Sequence, residues 1–146
     1  MIQRIQSVFL LIASLCLGGL YLLPFGGSKL PVEATAFSDS LLQVNDYMIL
    51  QVAVPVGIGA FLVSIFLFSN RKIQTLVSLL GSIAIGIIVG FVAMSIYNAF
   101  NTFSGDNSFL WKPGIGLPVV ALVFALLANR AIKKDDKLVK SMDRLR

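Results

Sequence analysis

The chain has 146 residues, of which 57% are hydrophobic and 13% charged, with a mean hydropathy of +0.88 and a formal charge of +5. A soluble domain carries about a quarter of its residues as charged side chains, so this composition excludes an ordinary soluble fold and points to one membrane domain. With no histidine and one cysteine, the chain's own residues build neither a metal cluster nor an intrachain disulfide, and no nucleic-acid signature accompanies its positive charge.

Met1–Gln6 carries Arg4, and residues 7–25 are then apolar throughout, a first span. A positive start, an apolar middle and the small residues Gly26 and Ser28 also fit a signal peptide. The apolar run is longer than a signal core, which favours an uncleaved helix with its amino end in the cytoplasm. Residues 26–47 turn polar and read as the longest outer loop, with Pro24 and Pro31 punctuating the exit from the first span and Phe37, Leu41, Leu42 and Val44 able to rest on the membrane surface or pack over the helix ends. Asn45 or Asp46 would cap the next helix.

The second span covers residues 48–68, with Pro55 about two turns in and Ala53, Gly57 and Ala60 as a small face. Gln51 is its strongly polar side chain, near the outer end beside Tyr47. The doubly basic turn 69–74 is so short that the second and third spans must be antiparallel neighbours. The third span, residues 75–97, holds no charge and repeats small residues every fourth position at Ser78, Ser82, Gly86 and Gly90. That stripe fits close packing on the Ala53–Gly57–Ala60 face or, in a competing use, on a second copy of the chain.

Residues 98–114 form a second outer loop, where Phe100, Phe103, Phe109 and Trp111 with Lys112 read as an interfacial aromatic belt. The last span, residues 116–132, has Pro118 in its first turn and ends at Asn129 and Arg130. The tail 133–146 is charged, and as a helix it would set Leu138, Met142 and Leu145 on one face.

Charge placement orients these elements. Arg4, Arg71, Lys72, Arg130, Lys133, Lys134, Lys137, Lys140, Arg144 and Arg146 fall on one side, and Lys29 and Lys112 on the other. The positive-inside rule then makes both termini and the 69–74 turn cytoplasmic. The fold expected is an all-α antiparallel bundle of four transmembrane helices with a short basic cytoplasmic tail.

No predicted span contains Asp, Glu, Lys or His, and the one arginine, Arg130, sits at the inner end of the last span. Proton-coupled transport draws on such groups, and Ser14, Ser64, Ser78, Ser82 and Ser95 have no base to activate them, so they read as packing residues. Phosphate-cradling loops are also missing, so neither an enzyme nor a cofactor is expected.

Two end motifs, MIQRIQS at Met1–Ser7 and ALVFALLANRAIKKDDKLVKSMDRLR at Ala121–Arg146, together with the Trp111-x-Pro113 pair, resemble an uncharacterised family of small four-helix membrane proteins of Bacteroidota. The resemblance implies an inner-membrane protein with both ends cytoplasmic and supplies no activity. The expected role is that of a non-enzymatic interaction or accessory subunit in the cell envelope. It would touch the bilayer and a protein partner, the latter through Arg130, Asp136, Lys137, Asp143 and Arg144. The alternative is a small channel or facilitator for an uncharged or lipid-like substrate, with Tyr47, Gln51, Asn98 and Asn101 converging on a cavity mouth.

Overall fold

The first apolar run forms helix α1, Ile2–Gly19, and the paired glycines Gly18 and Gly19 end it ahead of a turn at Leu20–Leu23 and Pro24. In this computed structural model, which describes residues 2–29, 39–102 and 109–143, α1 is therefore shorter than the expected 7–25 span. The expectations placed on Pro31, Phe37 and Phe103 lie outside the described residues.

Helix α2 is Met48–Phe66 and contains Pro55. Tyr47, rather than Asn45 or Asp46, takes its N-cap position, because Asp46 is used one turn earlier, where its carboxylate accepts the Gln43 N–H at 2.5 Å. Helix α3, Arg71–Thr102, is longer at both ends than the expected 75–97. Asn70 begins it by accepting the N–H of Ile73 on its side chain and that of Gln74 on its carbonyl, so the basic pair Arg71–Lys72 belongs to the first helical turn. Helix α4, Gly116–Asp143, joins the last span to the tail as one element. No Gly or Pro follows Pro118, so nothing in the sequence interrupts it.

The two outer segments differ most from expectation, because they pair into a sheet. Strand β1, Gly26–Ser28, lies between β2, Leu41–Leu42, and β3, Phe109–Trp111, antiparallel to both. Gly26 stands opposite Leu42 on one side and Trp111 on the other, and Gly27 opposite Leu41 and Leu110. Glycine is what lets the strands meet here. A Cβ on Gly26 would fall 2.1 Å from the Phe109 ring, and one on Gly114, just beyond β3, would fall 2.4 Å from the Pro24 carbonyl. Ser40 enters β2 at φ 62°, in the left-handed region, and its carbonyl accepts the Ser28 N–H.

The helices form a closed ring in which α1 lies against α2 and α4, and α3 also lies against α2 and α4. On α4 the buried positions Ala121, Ala125, Ala128 and Ile132 recur at helical spacing, and Phe9 of α1 meets Phe124 with ring centroids 6.0 Å apart. At one end Gln6 reaches Ala131; at the other, Leu117 lies beside Gly19. Between α2 and α3, Tyr47 stacks edge-on against Phe91, Phe61 packs over Gly81, and Ser64 meets Gln74. Large apolar side chains cover the outside, with Leu22 84% and Met48 81% exposed, while Gln6, Ser64, Gln74 and Ser78 are buried. Among the described residues three helical stretches are long and apolar enough to cross a membrane, Met48–Ser69, Arg71–Asn101 and Pro113–Asp136; the apolar part of α1, Ile5–Gly19, is shorter.

A polar cluster at the basic end of the bundle

The level of the helices that carries Arg71, Lys72 and Lys133 also gathers the buried polar side chains Gln6, Ser64, Gln74 and Ser78. Gln6, near the start of α1, donates its amide to the Ala131 carbonyl of α4 at 3.1 Å. Across the α2–α3 turn the exchange is reciprocal: Gln74 Nε2 donates to the Ser64 carbonyl at 3.1 Å, and Ser64 Oγ donates to the Gln74 carbonyl at 3.3 Å. Both side chains are buried, so each bond replaces a solvation that lipid or packed side chains could not provide.

One turn further from the solvent, Asn129 of α4 donates to Ser82 Oγ at 3.2 Å, and Ser82 in turn donates to the Ser78 carbonyl at 3.0 Å. Ser78 Oγ and Asn129 Oδ1 are buried without a hydrogen-bond partner among the described residues. At the rim, Arg71 of α3 and Asp135 of α4 form an ion pair at 2.7 Å, with side chains 27% and 18% exposed. The cluster thus ties α1 to α4, α2 to α3 and α3 to α4.

The structure sorts the expected packing residues into two groups. Ala53 and Gly57 are buried, and a Cβ on Gly57 would lie 2.8 Å from Leu17 and 3.5 Å from Ala84. Ser78 is buried and Ser82 half-buried. Gly86 and Gly90 face outward, with nothing within 4 Å of a Cβ built on either, and Gly81 supplies the close approach to α2 instead.

The outer polar residues are spread out rather than brought to one mouth. Gln51 donates to the Asn45 carbonyl at 2.7 Å, and Tyr47 packs on Phe91 with ring centroids 4.7 Å apart. Asn98 and Asn101 are exposed on α3, about 10 and 15 Å of helix beyond Phe91 and therefore away from Gln51, which lies further along α2 in the other direction.

On α4, Arg130 is exposed and Asp136 half-buried. Lys137 and Asp143 lie in the helical extension, and Arg144 is outside the described residues. Sequence reasoning did not single out Gln6, Gln74 or the Arg71–Asp135 pair. The pair would have been visible had α4 been continued one turn past Ile132, since that brings a carboxylate to the level of the first turn of α3.

Among the described residues no three His, Cys, Asp or Glu side chains come together in a way that could hold a metal ion. These residues offer hydrogen bonding and charge pairing where α1, α3 and α4 meet.

A family model described as a domain of unknown function (DUF4293) matches residues 2–145. The chain belongs to this family. The match takes in all four helices and the sheet. No curated protein and no solved structure matches the chain.

Proposed function

We propose that this DUF4293 protein is an antiparallel four-span protein of the bacterial inner membrane with both termini cytoplasmic. In this reading it acts without catalysis, as an accessory subunit that presents the charged end of α4 to a protein partner. One observation carries this reading. The helix that begins in the apolar segment at Gly116 runs unbroken to Asp143, and the Arg71–Asp135 pair braces it where it leaves the apolar zone. From Ile132 to Asp143 the helix extends about 16 Å at the usual rise, far enough to stand clear of the hydrocarbon region as a helical arm. A solvated tail that served only to fix topology would need no brace.

The membrane assignment is supported by the exposed apolar surface, the buried polar interior and the three long apolar stretches. Orientation is supported by the concentration of Lys and Arg at the end of the bundle where α1 starts and α4 finishes.

The reading is tested in cells with a photo-crosslinking amino acid at Leu138, whose side chain is 44% exposed on the arm. One discrete protein adduct is expected there, with none from the same probe at Leu22 on the opposite end. Adducts to lipid alone, together with unchanged associations on deletion of residues 133–146, would remove the accessory-subunit role. A cytoplasm-active reporter fused after residue 146 should report; silence would overturn the orientation.

A further inference from the structure

The seam between α3 and α4 opens at the basic end into a cavity of about 350 Å³, lined by Arg71, Lys72, Thr75, Leu76, Lys133 and Asp136. Arg71 is held by Asp135 at 2.7 Å. Lys72 and Lys133 are exposed, and no carboxylate pairs with either among the described residues. Arg71 and Lys72 open α3, where the helix dipole adds positive potential ahead of the N–H groups that Asn70 accepts.

Away from this mouth the wall turns apolar. Leu76 is 61% exposed, and Leu79 and Ile83, which follow on the same face at helical spacing, are exposed as well. Cations over an outward-facing apolar stripe follow the order of groups in a phospholipid, phosphate first and acyl chains beneath. Basic pockets between membrane helices on the cytoplasmic side bind such headgroups.

We propose that this cavity binds the phosphate of an anionic phospholipid of the inner leaflet. Lys72 and Lys133 supply the counter-charge, Asp135 positions Arg71 beside them, and the acyl chains lie along Leu76, Leu79 and Ile83. Asp136 bounds the site on the α4 side, so the phosphate sits toward the two lysines. The inference rests on the membrane reading above.

The test is native mass spectrometry of the full chain in non-ionic detergent, titrated with dioleoylphosphatidylglycerol or dioleoylphosphatidylcholine at equal concentration. The first phosphatidylglycerol adduct should be the tighter by about tenfold. The double variant Lys72→Gln/Lys133→Gln should lose about twenty-five-fold of that affinity, at about fivefold per lysine. Lys112→Gln at the other end should leave it unchanged, and Lys72→Arg/Lys133→Arg should keep it, which separates lost charge from lost fold. Wild-type selectivity in the glutamine variant would overturn the proposal. So would displacement of the lipid by glycerol phosphate at equal concentration, which would make the ligand a free phosphate ester. A chain that resists alkaline carbonate extraction but binds both lipids alike defeats this inference alone, whereas release by carbonate defeats the membrane reading beneath it.

Discussion

The two ends of the helix ring are closed by different physics. At the sheet end, backbone pairs with backbone through β1, β2 and β3, and glycines let main chains and aromatic rings come close. At the basic end the helices are joined by individual side chains, Gln6, Ser64, Gln74, Asn129 and the Arg71–Asp135 pair. A sheet of short strands fails as a unit when one close approach is blocked. A set of separate side-chain bonds loses one increment at a time, and membrane-protein side-chain bonds are worth on average about 0.6 kcal/mol each. The comparison therefore predicts that single substitutions cost more at the sheet end than at the basic end, even though the basic end holds more of the named polar contacts.

Gly114→Ala should show the largest effect. Its Cβ would fall 2.4 Å from the Pro24 carbonyl and 2.5 Å from that of Leu23, and both are backbone atoms that a rotamer change cannot move aside. The Gly114 N–H also donates to the Pro24 carbonyl, so displacement costs a hydrogen bond as well. Destabilisation of about 1–3 kcal/mol is expected, read as a lowered thermal transition of the detergent-solubilised protein. An unchanged transition would mean that the sheet end yields more readily than its backbone contacts suggest.

At the basic end, Gln74→Leu should cost about 1 kcal/mol, because it leaves the buried Ser64 carbonyl without its amide donor. Asn129→Leu, on the neighbouring helix, should be neutral or slightly stabilising. Ser82 still bonds the Ser78 carbonyl without Asn129, and the substitution removes a buried Oδ1 that has no partner. Measuring the two variants side by side sharpens the comparison: equal losses would show that the cluster acts as one network rather than as separate increments.

How much of this was legible in the sequence follows the same division. The long apolar runs of α2 and α3 announce themselves, because about twenty residues must be apolar to cross a bilayer. The sheet does not, because strands of two and three residues carry no periodicity and β1 pairs with β3 across more than eighty positions of chain; Gly26 and Gly27 read simply as loop glycines. The Ser78–Gly90 stripe shows a subtler limit. Residues spaced by four on a helix of 3.6 residues per turn drift by about 40° at each step, so over three steps the stripe winds roughly 120°. Ser78 therefore faces inward while Gly90 faces out, and the inward glycine on α3, Gly81, falls off the four-residue pattern. The Leu138–Met142–Leu145 spacing fits a helical tail without requiring one; the unbroken run of α4 to Asp143 rests on the absence of Gly and Pro after Pro118.

Asp46 provides the smallest test, and it probes the sheet end by charge instead of shape. It lies between β2 and α2, outside the apolar spans. Burial pushes its carboxyl above the ordinary aspartate value; the Gln43 N–H pulls it back in part, and the charge of Asp39 pushes it up again. A carboxyl raised by folding is one whose protonated form the folded state prefers. Its stabilising contribution is complete below the unfolded aspartate value of about 3.9 and is lost as pH rises through the raised folded value. At neutral pH the ionised Asp46 is thus a small net cost, because its carboxyl is only partly withdrawn from water and the residue as a whole stays exposed, so solvent screens most of the effect. Asp46→Asn keeps an acceptor for the Gln43 N–H and never ionises. The variant should match or slightly exceed the wild type at pH 7 and fall below it near pH 3.5, with the two melting curves crossing between. Parallel profiles across that range would show that the hydrogen bond from Gln43 balances burial and the Asp39 charge, so that the turn before α2 holds its carboxylate charged at no cost.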